Sequence, residues 1–115
     1  MHVRGIGVDA VQIARFRKLS VKVKDRFMAN TFSPKERAYC LSYKDSAPHF
    51  AGTFAAKEAV QKAANLVSMA PTAIEILRTK AGKPEVWLEG KRSKSILISI
   101  THEKTLACAV ALYCL

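Results

Sequence analysis

Val3-Arg4-Gly5-Ile6-Gly7-Val8-Asp9-Ala10 decides how the rest of the chain is read, because it alternates in period two. Ile6, Val8 and Ala10 fall on one face of the strand this predicts, and Gly5, Gly7 and Asp9 on the other. The second face therefore carries almost no side chains except one carboxylate at its end. Two glycines weaken a strand interior, so they point to the close approach of another backbone or of a ligand.

Working outward, residues 11–19 place Ile13, Phe16 and Leu19 at helical spacing, with Arg15, Arg17 and Lys18 between them. That is a short helix with a cationic outer face. Residues 22–30 read ambiguously. Ser33-Pro34-Lys35-Glu36 marks a helix start, with Ser at the N-cap, Pro at the first helical position and Glu at the third. A longer, Ala-rich helix is predicted from about Ser46-Ala47-Pro48 to Leu66, with Gly52 inside it costing about 1 kcal/mol relative to Ala. Residues 73–78 and 85–89 alternate as strands around the turn-forming Ala81-Gly82-Lys83-Pro84. Residues 95–101 put Ile96, Ile98 and Ile100 on one face, and 105–114 are apolar on both faces, as a central strand should be. His102-Glu103-Lys104 is the loop expected between them. The order is one strand, two or three helices, then an antiparallel sheet of hairpin-connected strands: an α+β fold in one domain over residues 1–115.

Composition narrows the class. At 115 residues, half of them hydrophobic, the chain is long enough for its own core without disulfide or metal staples, which excludes disorder. The longest apolar run, residues 106–115, is about half of what a membrane-crossing helix needs. Residues 1–5 show no apolar stretch of signal-peptide type, so a cytoplasmic location without a membrane is expected. Cys40, Cys108 and Cys114 form no Cys-x-x-Cys pair and read as reduced thiols. With 19 Lys and Arg against 9 Asp and Glu, the formal charge of +10 calls for an anionic partner. Nucleic acid, a phosphorylated ligand, a membrane surface and an acidic protein all satisfy it.

Two carboxylates stand out by context. Asp9 ends the glycine-bearing strand, and Glu58 lies in Phe54-Ala55-Ala56-Lys57-Glu58-Ala59-Val60-Gln61-Lys62-Ala63, where helical spacing aligns Phe54, Glu58 and Lys62. Together the carboxylates suit a hard divalent cation, which takes one or two protein carboxylates plus waters and phosphates. Lys57 and Lys62 would then serve the same phosphates. A solvated Glu58–Lys62 pair, with Asp9 as a turn residue, explains the spacing equally well. Ser99-Ile100-Thr101-His102 groups two hydroxyls and an imidazole at a strand end, where His102 could touch phosphate or simply face solvent. Ser99 lacks the flanking glycines of a nucleophile elbow, and the scattered His and Cys lack zinc-ligand spacing. The stretch Arg15, Arg17, Lys18, Lys22, Lys24, Arg26, with Phe16 and Phe27 interleaved, suits a nucleic acid, though no RNA-recognition signature accompanies it, and reads equally as a solvated helix face or a landing pad for an acidic protein.

Taken in order, Gly5-Ile6-Gly7-Val8-Asp9-x-x-x-Ile13-x-Arg15, Phe32-Ser33-x-x-Glu36, Phe54-Ala55-Ala56-Lys57-Glu58-Ala59-x-x-Lys62-Ala63, Gly82-Lys83-Pro84 and Ser99-Ile100-Thr101-His102 resemble one family over nearly the whole chain. It is the holo-acyl-carrier-protein synthases, the small trimeric 4′-phosphopantetheinyl transferases. The resemblance implies transfer of the phosphopantetheine arm of coenzyme A to a serine of apo acyl carrier protein, releasing adenosine 3′,5′-bisphosphate, in fatty acid biosynthesis. It implies Mg²⁺ on Asp9 and Glu58, with Lys62 as a second neutralising charge and Glu58 or a water on the metal as the base. It implies coenzyme A contacts from Phe54, Lys57, Ser99, Thr101 and His102, with Gly82, Lys83 and Pro84 lining the adenine side from a neighbouring subunit. Sites lie between subunits of a homotrimer, and Arg15, helped by Arg17 and Arg26, docks the acidic carrier; nucleic acid is then not expected. Two positions depart from the family pattern. Thr53 stands where the family usually has Arg, and Ala64-Asn65-Leu66-Val67 where it has a Gly-Thr-Gly type loop. Both remove a phosphate-side feature.

Overall fold

A computed structural model describes residues 2–19 and 25–115. Strand β1 (Val3–Gln12) runs directly into helix α1 (Ile13–Leu19); helices α2 (Arg26–Thr31), α3 (Pro34–Leu41) and α4 (Ala47–Ala64) follow. A 3-10 turn at Pro71–Ala73 leads into β2 (Ile74–Arg78), β3 (Pro84–Leu88), β4 (Lys91–Arg92), β5 (Ile96–His102) and β6 (Leu106–Cys114). The strand expected at residues 3–10 continues to Gln12, which shortens the first helix. Part of the ambiguous stretch is helix α2, started by the Asp25 carboxylate accepting from the Phe27 N–H at 2.8 Å. Lys22 and Lys24 lie outside the described residues.

The α+β order holds, with the strands divided between two antiparallel sheets, β1-β6-β5 and β2-β3-β4. After the Glu89–Gly90 turn, with both residues at positive φ, β4 pairs for only two residues, and the chain then crosses to β6. β6 is indeed central, with β1 on one edge and β5 on the other. His102 is the last residue of β5 rather than part of the following loop.

α4 is buried on nearly every side, as its alanine-rich sequence allows. One side lies on β1, β6 and β5, and the others meet α1, α3 and β2. Where α4 meets β1, all side chains are absent from the strand. A methyl built on Gly5 would fall on the carbonyl oxygen of Ala63, and one on Gly7 on that of Ala59. Four helix residues rise about 6 Å and two strand residues about 6.7 Å, so the two backbones stay in step. Opposite α4, β6 contributes buried Ala107, Ala109 and Ala111. Gly52 has a comparable cause, since a Cβ there would sit 3.1 Å from the Ile100 Cγ2 of β5.

The period-two face of β1 that carries Ile6 and Val8 points the other way, away from α4. These two residues are 67% and 60% exposed, and Leu97 and Val110 extend the same uncovered apolar surface. On the helical side, Phe16, Phe32 and Phe50 form the aromatic core, with Phe32 edge-on to Phe50 at 5.0 Å between centroids.

Gly7→Ala is expected to destabilise the protein by about 3 kcal/mol or to prevent folding, because neither backbone can retreat without losing sheet or helix hydrogen bonds. Gly90→Asn, at positive φ with open space around it, should cost under about 1 kcal/mol. Denaturant unfolding of the two variants checks the contrast.

Candidate active site

The strand–helix register places the site. Asp9 follows Gly5 and Gly7 on the α4-facing side of β1, and α4 runs in the opposite direction, so the next helical level brings Glu58 and Lys62 beside Asp9. Asp9 and Glu58 line one open cavity of about 490 Å³, with Val11, Gln12, Arg15 and Phe54. The Lys62 ammonium donates to the Val8 carbonyl oxygen at 2.9 Å and to Asp9 Oδ1 at 3.3 Å. Lys62 therefore pairs across to β1, and no Glu58–Lys62 ion pair is present among the described residues. Glu58 presents its carboxylate to the cavity without that partner. Ala10, Val11 and Gln12 also line the cavity; the period-two pattern carries Val11 onto the face of Asp9, and Ala10 and Gln12 border the opening from the other face.

Among the described residues no group of three or more His, Cys, Asp or Glu is placed to hold a metal. Two carboxylates sharing a solvent-open cavity fit a hard divalent ion that takes its remaining ligands from water and phosphate. They do not fit a tetrahedral zinc centre.

Arg15 stands at the rim on an aromatic cushion. Its guanidinium carbon lies 5.6, 5.3 and 5.1 Å from the ring centroids of Phe16, Phe27 and Phe54. Arg17 is held in a two-pronged contact with Asp45 at 2.9 and 3.0 Å, and Arg26 is exposed at the start of α2. The other candidate residues lie elsewhere on the chain. Ser99 and Thr101 sit on the uncovered outer face of the sheet, beside Val8 and Val110. Lys83 and Pro84 line a separate cavity of about 340 Å³ between β3 and β5, with Arg92 and Lys94; Gly82 is exposed in the adjoining turn at φ 89°. His102 is exposed and edge-on to His49 at 5.9 Å, and His49 in turn stacks on Tyr43 at 3.6 Å. Burial lowers the His49 pKa, helped by the nearby charges of His102 and Arg78, while Asp45 opposes them.

Lys57 departs from expectation. Its side chain is buried, and its ammonium donates to Glu36 Oε1 at 2.7 Å and to the Ile74 carbonyl oxygen, so it is not free for a substrate phosphate. Glu36 Oε1 also accepts from the Ser33 N–H at 2.9 Å, and Oε2 from the Ile76 N–H at 2.8 Å. One carboxylate thus closes the α3 capping box and ties α4 to β2. Loss of hydration raises the Glu36 pKa above 4.5 despite the Lys57 charge and these hydrogen bonds. The same loss lowers that of Lys57 below 10.5 despite Glu36. The two departures from the family pattern also resolve. Thr53 is buried with its hydroxyl 3.7 Å from Cys40 Sγ, and Asn65 closes α4 in the left-handed conformation at φ 55°, where glycine or asparagine serves best.

A family model described as the 4′-phosphopantetheinyl transferase superfamily matches residues 5–111. Over 108 residues the chain is 38% identical to the holo-[acyl-carrier-protein] synthase of Thermodesulfovibrio yellowstonii, covering 93% of this chain and 95% of that one. Over 111 residues it is 40% identical to the holo-[acyl-carrier-protein] synthase of Chlorobaculum parvum, with coverage of 93% and 95%. Among solved structures it resembles the holo-(acyl-carrier-protein) synthase of Bacillus anthracis in complex with CoA (3′,5′-ADP), with a TM-score of 0.80, 29% identity and 96% of each chain covered. It resembles that of Helicobacter pylori in complex with coenzyme A at a TM-score of 0.78 and 32% identity, covering 94% of this chain and 98% of that one.

The buried pair generates a test. Lys57→Met alone should cost about 3–5 kcal/mol by leaving Glu36 charged and unpaired, whereas Lys57→Met with Glu36→Gln should cost much less than the sum of the single changes. A raised carboxyl pKa means that the folded state holds its proton longer than the unfolded one. Wild-type stability relative to the double variant should therefore fall as pH rises from 4.5 through the raised value of Glu36. It should recover as pH rises from the lowered value of Lys57 towards 10.5. Denaturant titrations across pH measure both.

Proposed function

We propose that this chain, which belongs to the 4′-phosphopantetheinyl transferase superfamily and within it to the holo-[acyl-carrier-protein] synthases, moves the phosphopantetheine arm of coenzyme A onto a serine of an apo acyl carrier protein. The observation that carries this reading is the meeting of Asp9 and Glu58 at one cavity, with Lys62 fastened to Asp9.

Coenzyme A carries two negative phosphates at the bond to be broken, and phosphoryl transfer depends on positioning and charge neutralisation. Asp9 and Glu58 are the residues that would hold Mg²⁺, which when bound draws charge from the pyrophosphate. Lys62, kept at the cavity edge by Val8 and Asp9, adds the second positive charge. The serine oxygen forms a bond to the phosphorus that bears pantetheine while the bond from that phosphorus to the bridging oxygen breaks. Adenosine 3′,5′-bisphosphate leaves with the electron pair. The serine proton passes to a carboxylate oxygen of Glu58. Arg15, exposed and held over three rings, meets an acidic residue of the carrier and orients its serine; Arg26 adds to the field. Arg17 joins only by releasing Asp45, an exposed contact worth about 1 kcal/mol or less.

Within one protomer Ser99, Thr101, Lys83 and Pro84 do not reach the Asp9 cavity, and the sheet face around Val8 and Val110 is uncovered. Both observations support a homotrimer in which these residues and His102 serve the nucleotide end of coenzyme A in a neighbouring site. An acyl carrier protein as acceptor supports a role in fatty acid biosynthesis, and on this reading the reaction runs in the cytoplasm. No helix among the described residues is long and apolar enough to cross a membrane.

The deciding experiment incubates the chain with coenzyme A, Mg²⁺ and apo carrier protein and weighs the carrier by mass spectrometry. A carrier that gains no phosphopantetheine overturns the proposal. Glu58→Gln should lower turnover about 10²-fold or more without changing the fold. Arg15→Glu should raise the KM for carrier about tenfold while leaving coenzyme A affinity unchanged. Light scattering at micromolar concentration should give three times the chain mass, and a monomer would remove the shared site.

A further inference from the structure

Arg15 is exposed, and among the described residues no carboxylate holds it. What holds it is a triangle of rings from three helices: Phe16 of α1, Phe27 of α2 and Phe54 of α4. Every pair of these rings is in contact, at centroid separations of 6.2, 5.4 and 5.9 Å, with mutual tilts of 45, 48 and 48°. The guanidinium carbon lies 5.1 to 5.6 Å from all three centroids, inside the roughly 6 Å at which a ring face attracts a cation. The three corners are unequal. Phe16 is fully buried in the aromatic core, whereas Phe27 and Phe54 are only partly buried and keep ring surface at the outside. Phe54 also lines the Asp9 cavity, which leaves Phe27 as the corner with no part in the site described so far.

We propose that Phe27 is a positioning residue for the carrier protein. With Phe54 beside it, its ring seats the Arg15 guanidinium, so that Arg15 meets an acidic side chain of the carrier in an orientation set before contact. The inference rests on the carrier docking proposed above and adds to it the device that aims the arginine. Chemistry supports it first. A guanidinium lying over rings spends its flat face on them and keeps its N–H edges for a carboxylate, so seat and carrier do not compete. Arg17 shows the alternative, since its edge is taken by Asp45 and a carrier acid has to displace that contact. Position supports it next. Arg15 and Phe54 line the cavity that Asp9 and Glu58 share, so a carrier attached at Arg15 is held at a set distance from the reacting phosphorus. Entropy agrees. Ordering a free arginine on association weakens binding roughly two- to tenfold, and a seat that orders it beforehand removes most of that loss.

Steady-state transfer by the full chain with coenzyme A, Mg²⁺ and an apo acyl carrier protein reads the effect. Phe27→Leu should raise the KM for carrier about three- to fivefold, with kcat and the Kd for coenzyme A unchanged. Phe27→Tyr, which keeps the ring, should stay within about twofold of the wild type. Leucine also changes the packing of α2, so the decisive variant is Phe27→pentafluorophenylalanine. It keeps the bulk and apolar character of the ring but reverses the charge of its face, and should raise the KM as leucine does. In an Arg15→Ala background neither change should raise the KM further. A rise of the same size without Arg15 overturns the proposal and assigns Phe27 to direct contact with the carrier. A fluorinated ring that behaves as phenylalanine overturns it too. NMR on the protein without substrates tests the seat by itself. The Arg15 δ-methylene protons should resonate upfield, shifted by the ring currents, and move back in Phe27→Leu; ordinary shifts in the wild type overturn the seat. Because that measurement needs no transfer, a failed seat is distinguishable from a failed transferase reading.

Discussion

Two carbonyl oxygens of α4, those of Ala59 and Ala63, rest on two strand residues that have no side chains, and the remaining geometry follows from that contact. Any Cβ at Gly5 or Gly7 would push helix and strand apart. At ordinary helix–sheet spacing, about 10 Å, Lys62 would not reach the Val8 carbonyl and Asp9 together. The alanines facing this seam, on α4 and on β6, have the same purpose. They remove volume where two backbones must come close, and the larger side chains are displaced to the other sides of the helix.

A second anchor acts at right angles to the first. Glu36 takes up Lys57, the Ser33 amide and the Ile76 amide, joining α3, α4 and β2 at one buried point. The pair need not add net stability compared with apolar residues of the same size, because both charges lose hydration. Its effect is directional. Residue 57 is drawn inwards to β2, and its neighbour Glu58 is thereby turned to the Asp9 cavity.

Much of this was legible from residues alone. The Ser33 capping box, the central strand at residues 105–114 and the backbone contact implied by Gly5 and Gly7 each have a local signature, and each is found. The pairing of Asp9 with Glu58 rested on a resemblance. No spacing in the chain encodes that β1 and α4 run in opposite directions, in step, with residue 9 at the level of residue 58. Lys57 shows the opposite difficulty. Its neighbour Glu58 lines the Asp9 cavity, yet α4 is covered on several sides, and a one-residue step along a helix turns by about 100°. No count of charges could tell which lysine turns inwards. The division of the strands into two sheets was equally hidden, because it depends on a turn at Glu89–Gly90 that ends pairing after two residues.

The two-sidedness of β1 has a consequence for how this strand can change over time. Gly5 and Gly7 answer to the helix and admit nothing larger than hydrogen, whereas Ile6 and Val8 answer only to whatever covers the sheet. Substitutions at Gly5 and Gly7 are therefore filtered by folding itself, and those at Ile6 and Val8 by company. A lineage could exchange the exposed residues at positions 6 and 8 one by one while the glycine seam and the Asp9 cavity beyond it stayed untouched.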